Sequence, residues 1–171
     1  MKILFSYPTQ LENEAHLINE LIASGDWDLF HLRKPHYSSN ELTELWNQLD
    51  NDVKKKTVLH QDFKASCHSF EEVEVLDGQL PYCFLSPVFD SISKQGYQAK
   101  FDKKELQDFL KKKRIIKVIG LGGVTSENYA ELLELGFDGG AFLGSVWENP
   151  SLRRVAPKET GGVLPLKEKT V

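Results

Sequence analysis

The chain has 171 residues, of which 40% are hydrophobic and 27% charged, a balance typical of one soluble globular domain. Its net charge of −4 argues against nucleic acid or an anionic membrane as the main partner. The sequence shows no signal peptide, no apolar run near membrane length, and only two cysteines, which lack metal-binding spacing. We therefore expect a cytoplasmic protein with small-molecule partners, and the composition leaves a homo-oligomer open.

The first third of the chain alternates apolar strands with helical stripes. Strands are predicted at residues 2–7, 27–33 and 57–60. The first helix is predicted to end at Gly25, and Ser38 with Glu41 has the spacing of a capping box ahead of the second helix. Strands that alternate with helices predict a parallel sheet with right-handed crossovers.

The same alternation continues to residue 149, with one interruption. Clear strands are predicted at residues 82–89, 115–121 and 137–143, and a weak one at 65–68. Thr125 or Ser126 is predicted to cap the helix that follows the strand at 115–121. Six clear strands and one weak strand predict an incomplete, TIM-barrel-like (β/α) barrel, since a full one usually needs about 200 residues or more. The tail at residues 150–171 has no apolar periodicity, and we expect it to be mobile or loosely docked outside the domain at 1–149.

Two strands near the end of the chain run directly into glycine turns. Gly122 and Gly123 follow one strand, and Gly144 and Ser145 follow the next. In (β/α) barrels a phosphate commonly lies between the loops after the last two strands, where glycine lets it approach the main-chain N–H groups. This pattern predicts a paired phosphate site. The alternative is a tight turn that needs glycine only for its dihedral angles.

Polar residues follow several other strands, where the active sites of such barrels lie. They are His31, Arg33, Lys34, His60, Gln61, Asp62, Ser66, His68 and Lys94. A cluster of Arg33, Lys34 and Lys94 would suit a second polyanion such as diphosphate, although each could also be an ordinary surface charge. His68 is a candidate general acid or base, or a residue that binds the main chain at the start of a helix.

Four blocks of the sequence together resemble the thiamine phosphate synthase/TenI family. They are His31-Leu32-Arg33-Lys34, Ser66-Cys67-His68-Ser69-Phe70-Glu71-Glu72, residues 84–94 (FLSPVFDSISK), and residues 120–128 (GLGGVTSEN). The resemblance covers most of residues 1–149 and implies a (β/α)8 barrel that acts in thiamine biosynthesis. The synthase is a transferase that couples hydroxymethylpyrimidine diphosphate with thiazole phosphate and releases diphosphate with Mg²⁺ as cofactor. The TenI branch tautomerises the thiazole phosphate.

The resemblance also assigns roles to residues of this chain. Thiazole phosphate would be held by Gly122, Gly123, Gly144 and Ser145, and diphosphate with its Mg²⁺ by Arg33, Lys34, Ser66 and Lys94. The catalytic residues would be Lys94 and, as the proton shuttle of a tautomerase, His68. Asp62 is the candidate metal ligand, although it stands one residue later than the carboxylate of the family.

The chain departs from the family in two large respects. About one β/α unit is missing between Gln61 and Ala65, and no closing helix is recognisable after the last strand. Three functions therefore stay open: a synthase-like transferase, a thiazole tautomerase, and a non-catalytic phosphate-ligand binder or subunit.

Overall fold

Seven parallel strands form one curved sheet in the order β3-β2-β1-β7-β6-β5-β4. The computed structural model describes residues 1–60, 63, 65–90 and 100–148. The strands are β1 (Lys2–Phe5), β2 (Leu29–Leu32), β3 (Thr57–Leu59), β4 (Ser66–Cys67), β5 (Tyr82–Leu85), β6 (Lys117–Gly120) and β7 (Gly139–Phe142). The helices are α1 (Glu14–Ser24), α2 (Ser39–Gln48), α3 (Asn51–Lys56), α4 (Phe70–Leu76), α5 (Lys103–Leu110), α6 (Tyr129–Glu134) and α7 (Gly144–Trp147).

Alternate residues of the strands pack on opposite faces of the sheet. On the helix-covered face, Leu4, Phe30 and Val118 join a large core with apolar residues of the helices. The inner face carries a smaller cluster, formed by Ile3, Phe5, Tyr82, Phe84, Ile119 and Ala141. Both faces are buried, which explains why these strands are apolar at consecutive positions. The predicted parallel, incomplete TIM-barrel-like fold is confirmed: the sheet is an open half-barrel.

The link between β3 and β4 explains why the barrel is open. Only residues 60–65 join the two strands, too few for the helical crossover that parallel neighbours normally need. Strand β4 has two residues, which pair with Phe84 and Leu85 at the carboxyl end of β5. Within the link, the Phe63 ring lies 4.8 Å from that of Tyr82. Phe63 thus occupies interior space between the edges of the half-barrel.

Several helix ends agree with the sequence and one does not. Ser38 and Glu41 form the predicted capping box of α2, and the N–H of Gly25 closes α1. Helix α6 begins at Tyr129 with Asn128 at its N-cap, so the prediction of Thr125 or Ser126 there is wrong. The Thr125 hydroxyl instead accepts from the N–H groups of Glu127 and Asn128, which form a separate turn before the helix.

Four of the predictions fall on residues outside the described part of the chain. These are Gln61, Asp62, Lys94 and the tail at 150–171. Among the described residues, no helix has the length and apolar character needed to cross a membrane.

Candidate functional site

The two segments that we call the glycine loops lie side by side at the carboxyl edge of the sheet: the first is Gly122 and Gly123, and the second is Gly144 and Ser145, which begin α7. They follow the neighbouring strands β6 and β7, which pair through Gly120 and Gly140. The Ser145 hydroxyl in the second loop donates to the Val124 carbonyl beyond the first, at 2.8 Å. The structure therefore brings together the loops that the sequence singled out.

The first loop needs glycine for its shape. Gly122 and Gly123 have φ angles of +94° and +66°, a region that side chains rarely adopt. A Cβ at Gly123 would lie 2.4 Å from the main-chain oxygen of Asp90, and one at Gly122 would lie 3.0 Å from Cα of Pro87. The loop thus packs directly against the chain that follows β5, so the tight-turn explanation of these glycines holds whether or not they bind a ligand.

In this loop the carbonyl groups of the two glycines accept hydrogen bonds from the protein, whereas their N–H groups donate none within the described part of the chain. The Gly122 carbonyl accepts from the N–H of Phe89 at 3.1 Å, and the Gly123 carbonyl accepts from the Asn128 amide at 2.8 Å. Within the described part of the chain, the N–H groups of Gly122, Gly123, Gly144 and Ser145 donate to no protein acceptor. Main-chain donors that the protein leaves available in adjoining glycine loops suit an anion.

His68 stands next to these loops, directly after β4. Its ring nitrogen Nδ1 lies 3.1 Å from the main-chain oxygen of Ser86. Pro87, the next residue, is the one that packs on Gly122. The side chain of His68 is exposed, and Ser66 is exposed on the same strand. His68 therefore contacts the segment, Ser86-Pro87, that packs on the first glycine loop.

The structure separates two cations that the sequence grouped. The Arg33 side chain is exposed at the end of β2, and its main-chain N–H donates to the Ser6 hydroxyl at 2.8 Å. Lys34 is 1% exposed and forms an ion pair with Glu14. Its ammonium also donates to the Thr9 carbonyl at 2.8 Å, so it has partners inside the protein.

Burial and mutual attraction oppose each other in this ion pair. Burial raises the pKa of Glu14 and lowers the pKa of Lys34, because each loses hydration of its charge. The opposite charge of the partner counteracts both shifts, and the Tyr37 hydroxyl donates a further hydrogen bond of 2.9 Å to Glu14. The arrangement indicates a structural role for Lys34 rather than contact with diphosphate.

Two histidines and a tyrosine form a hydrogen-bonded chain inside the half-barrel. Nδ1 of His31 lies 3.1 Å from Nδ1 of His60, and Nε2 of His31 lies 2.7 Å from the Tyr82 hydroxyl. Burial, followed by the nearby His60, lowers the pKa of His31 to about 3. Burial and the charge of Arg33 lower the pKa of His60. Both imidazoles are therefore neutral in the folded protein near neutral pH.

The sequence placed His31 at the mouth of the barrel, whereas the structure places it in the interior. Its neighbours Phe30 and Leu32 pack on the helix-covered face, so alternation along the strand directs His31 to the other face. This alternation of side chains along the strand could have indicated from the sequence that His31 points into the interior. The pairing with His60 and Tyr82 depends on the curvature of the sheet, which the sequence did not reveal.

No family model matches the chain. Over 83 residues it is 29% identical to the thiamine-phosphate synthase of Bacillus anthracis (strain A0248) and 28% identical to that of Bacillus mycoides (strain KBAB4). Each alignment covers 48% of this chain and 38% of the relative, so the matched stretch spans little more than a third of these curated proteins.

Solved structures extend the likeness to most of the chain. The thiamine phosphate pyrophosphorylase of Bacteroides thetaiotaomicron is 26% identical, with a TM-score of 0.69 over 86% of this chain and 85% of its own. The chain therefore resembles the thiamine phosphate synthase/TenI family. The thiamine phosphate pyrophosphorylase of Pyrococcus furiosus shares the fold at 18% identity, with a TM-score of 0.65 over 90% of this chain and 89% of its own.

The resemblance implies Mg²⁺, and Asp62, the candidate ligand, lies outside the described residues. No group of three or more His, Cys, Asp and Glu side chains among them could hold a metal ion. The Glu14 carboxylate already binds Lys34 and Tyr37, and the Glu72 carboxylate accepts from the N–H of His68. We therefore assign no described residue to a metal.

Proposed function

We propose that this chain binds the phosphate of a thiazole phosphate in its two glycine loops and couples it with hydroxymethylpyrimidine diphosphate. The observation that carries the proposal is the pair of adjoining loops, in which the carbonyls of Gly122 and Gly123 have protein partners while their N–H groups have none among the described residues. The likeness to thiamine-phosphate synthases supports a role in thiamine biosynthesis and a transferase as the kind of enzyme.

The proposed phosphate contacts follow from the chemistry of the loops. N–H groups of Gly122, Gly123, Gly144 and Ser145 would donate to a phosphate dianion, and hydrogen bonds to an ionised acceptor are stronger than those between neutral groups. The missing Cβ atoms let the phosphate oxygens approach the main chain. The Ser145 hydroxyl fixes the distance between the loops through Val124 and need not contact the ligand.

The transferase step requires positive charge where diphosphate leaves. As the bond from the pyrimidine methylene to diphosphate breaks, negative charge grows on the diphosphate oxygens, and a fixed guanidinium stabilises it. Arg33 is exposed directly after β2 and suits this role, and Ser66 is exposed as the first residue of β4. Lys94 remains a predicted contributor from sequence. Lys34 is not part of this proposal because its ammonium is paired with Glu14.

A diphosphate-release assay tests the proposed transferase. The full chain is incubated with both substrates, with Mg²⁺ and with a chelator, and diphosphate and thiamine phosphate are measured. We expect both products in equal amounts, and a reduction of at least about tenfold in Arg33→Ala. A folded chain that releases no diphosphate under either condition contradicts the transferase.

A thiazole tautomerase is the second candidate, and the position of His68 favours it. The exposed imidazole borders the glycine loops and could move a proton on a bound ring without a metal. Incubation with the thiazole phosphate tautomer in chelator tests this reaction. Turnover that disappears in His68→Ala supports a tautomerase, whereas binding without turnover in either assay leaves a phosphate-ligand binder.

A further inference from the structure

The main chain of His68 is held from two sides by oppositely charged side chains. Its N–H donates to the Glu72 carboxylate at 2.6 Å, and its carbonyl accepts from the Lys100 ammonium at 2.6 Å. The preceding residue, Cys67, accepts from the N–H of Ser86 at 3.0 Å and thereby fixes β4 beside the end of β5. The backbone on both sides of the His68 side chain is thus anchored.

The contact of the imidazole with Ser86 determines which nitrogen carries the hydrogen. Nδ1 lies 3.1 Å from the main-chain oxygen of Ser86, and a carbonyl oxygen can only accept. In the neutral ring Nδ1 is therefore the donor, and Nε2 keeps its lone pair. The Ser86 hydroxyl, 3.4 Å from Nδ1, is compatible with this arrangement because it can also accept. Within the described part of the chain, Nε2 has no hydrogen-bond partner.

The segment that binds Nδ1 of His68 adjoins the first glycine loop. Ser86, which binds Nδ1, precedes Pro87, and Pro87 packs on Gly122. The same Pro87 carbonyl accepts from the N–H of Lys100 at 3.3 Å. His68, Lys100 and the first glycine loop therefore all contact the dipeptide Ser86-Pro87.

We propose that Glu72 and Lys100 are positioning residues that keep His68 in the Nδ1–H form and present Nε2 as a proton acceptor beside the glycine loops. The inference deepens the proposed function and rests on it only for the identity of the ligand. Glu72 and Lys100 contact the main chain of His68 rather than a reacting atom, so they act through the orientation of the imidazole. If either anchor is lost, the ring can leave Ser86 and the preference for the Nδ1–H form weakens.

Nitrogen NMR of the imidazoles in the ¹⁵N-labelled full chain at pH 8 tests this proposal. His68→Gln assigns the His68 signals among the five histidines. We expect His68 in the Nδ1–H form in the unmodified chain. In Lys100→Ala and in Glu72→Ala, the ratio of the Nδ1–H to the Nε2–H form should fall by about threefold to tenfold, the range expected for one lost hydrogen bond.

Matched variants separate positioning from a general effect of charge. Lys100→Arg and Glu72→Gln keep a donor and an acceptor and should restore the ratio. Lys104→Ala and Glu71→Ala remove the same charges nearby and should leave it unchanged. An Nε2–H form in the unmodified chain, or equal ratios in Lys100→Ala and Lys104→Ala, would overturn the proposal. If Glu72→Ala does not fold, the comparison of Lys100→Ala with Lys104→Ala tests the proposal, because the Lys100 side chain is exposed and its removal should not prevent folding.

A separate titration keeps this result distinct from the proposed function. Inorganic phosphate is added to the same sample, and the N–H signals of Gly122 and Gly123 are followed. Absence of any shift counts against the phosphate site and leaves the tautomer result intact. A shift together with an Nε2–H form of His68 counts against the positioning role alone.

Discussion

Two parts of the sheet, β2 with β3 and β6 with β7, use different chemistry at their carboxyl edges. At β6 and β7, glycine loops present main-chain N–H groups, and the described protein leaves those of Gly122 and Gly123 without an acceptor. At β2 and β3, polar side chains bind one another: Lys34 pairs with Glu14, and His31 with His60. A site made from main-chain groups depends on local backbone shape, whereas one made from side chains depends on where each strand points them.

The short link after β3 accounts for much of the difference. Residues 60–65 run directly from β3 to a two-residue β4, and Phe63 enters the interior there. The inner faces of β2 and β5 then approach closely enough for His31 to contact Tyr82 at 2.7 Å. His31, which was expected at the mouth of the barrel, thus lies in a filled interior. The carboxyl ends of β6 and β7 are not filled in this way.

The largest expected effect tests whether Lys34 is structural. Lys34→Ala leaves the buried Glu14 without its charge partner and should lower the free energy of unfolding by about 3–5 kcal/mol, measured in urea. The double variant Glu14→Gln/Lys34→Met should be less destabilised, because no unpaired charge remains. Diphosphate affinity should be unchanged wherever the variant is folded. A stable Lys34→Ala protein that has lost diphosphate binding would return Lys34 to the site.

Gly123→Ala tests the importance of backbone shape in the glycine loop that follows β6. It should cost about 2–4 kcal/mol, because the residue has positive φ and the new Cβ would meet main-chain atoms. Gly78→Ala is the matched control: its φ is +76°, but nothing lies within 4 Å of the added carbon. Thermal unfolding and phosphate titration of both variants are compared. Equal losses of stability would show that close packing at Gly123 contributes nothing.

Lowering the pH should decrease the free energy of unfolding through protonation of His31, in the interior at β2 and β3. The folded-state pKa of His31 is lowered to about 3, below its unfolded value near 6.5, so its neutral form stabilises the fold above about pH 6.5. This contribution is lost as the pH falls from 6.5 toward 3, and between pH 8 and pH 5 it amounts to roughly 2 kcal/mol. Urea unfolding at both pH values measures it.

Two variants identify the source of this pH dependence. His31→Phe removes the titrating ring and should reduce the loss between pH 8 and pH 5, whereas His36→Gln changes an exposed histidine and should not. Identical pH profiles for all three proteins would exclude His31 as the cause.

The smallest effect concerns the contact between the glycine loops. Ser145→Ala removes the hydrogen bond to Val124 and should cost about 1 kcal/mol, with a modest decrease in phosphate affinity. Ser24→Ala, which removes a hydroxyl that binds Glu20 within α1, should leave phosphate affinity unchanged. Chemical unfolding and phosphate titration distinguish them. A phosphate affinity equal to that of Ser24→Ala would mean that the loops hold their spacing without this bond.

The sequence was sufficient to predict features that depend only on neighbouring residues. Apolar runs predicted the parallel sheet, the spacing of Ser38 and Glu41 predicted the capping box, and the glycine pairs predicted loops at adjoining strand ends. The phosphate role of those loops stays a prediction. The start of α6 was missed because Thr125 forms a turn of its own first.

Tertiary structure alone decided the fate of the polar side chains. Lys34 looked like a ligand for diphosphate until Glu14, twenty residues earlier, was found to pair with it. His31 looked like a residue of the mouth until the curved sheet placed Tyr82 across the interior. Strand periodicity and turn geometry are properties of a few neighbouring residues, so the sequence determined them. The partner of a buried charge or imidazole depends on which distant segments the fold brings together.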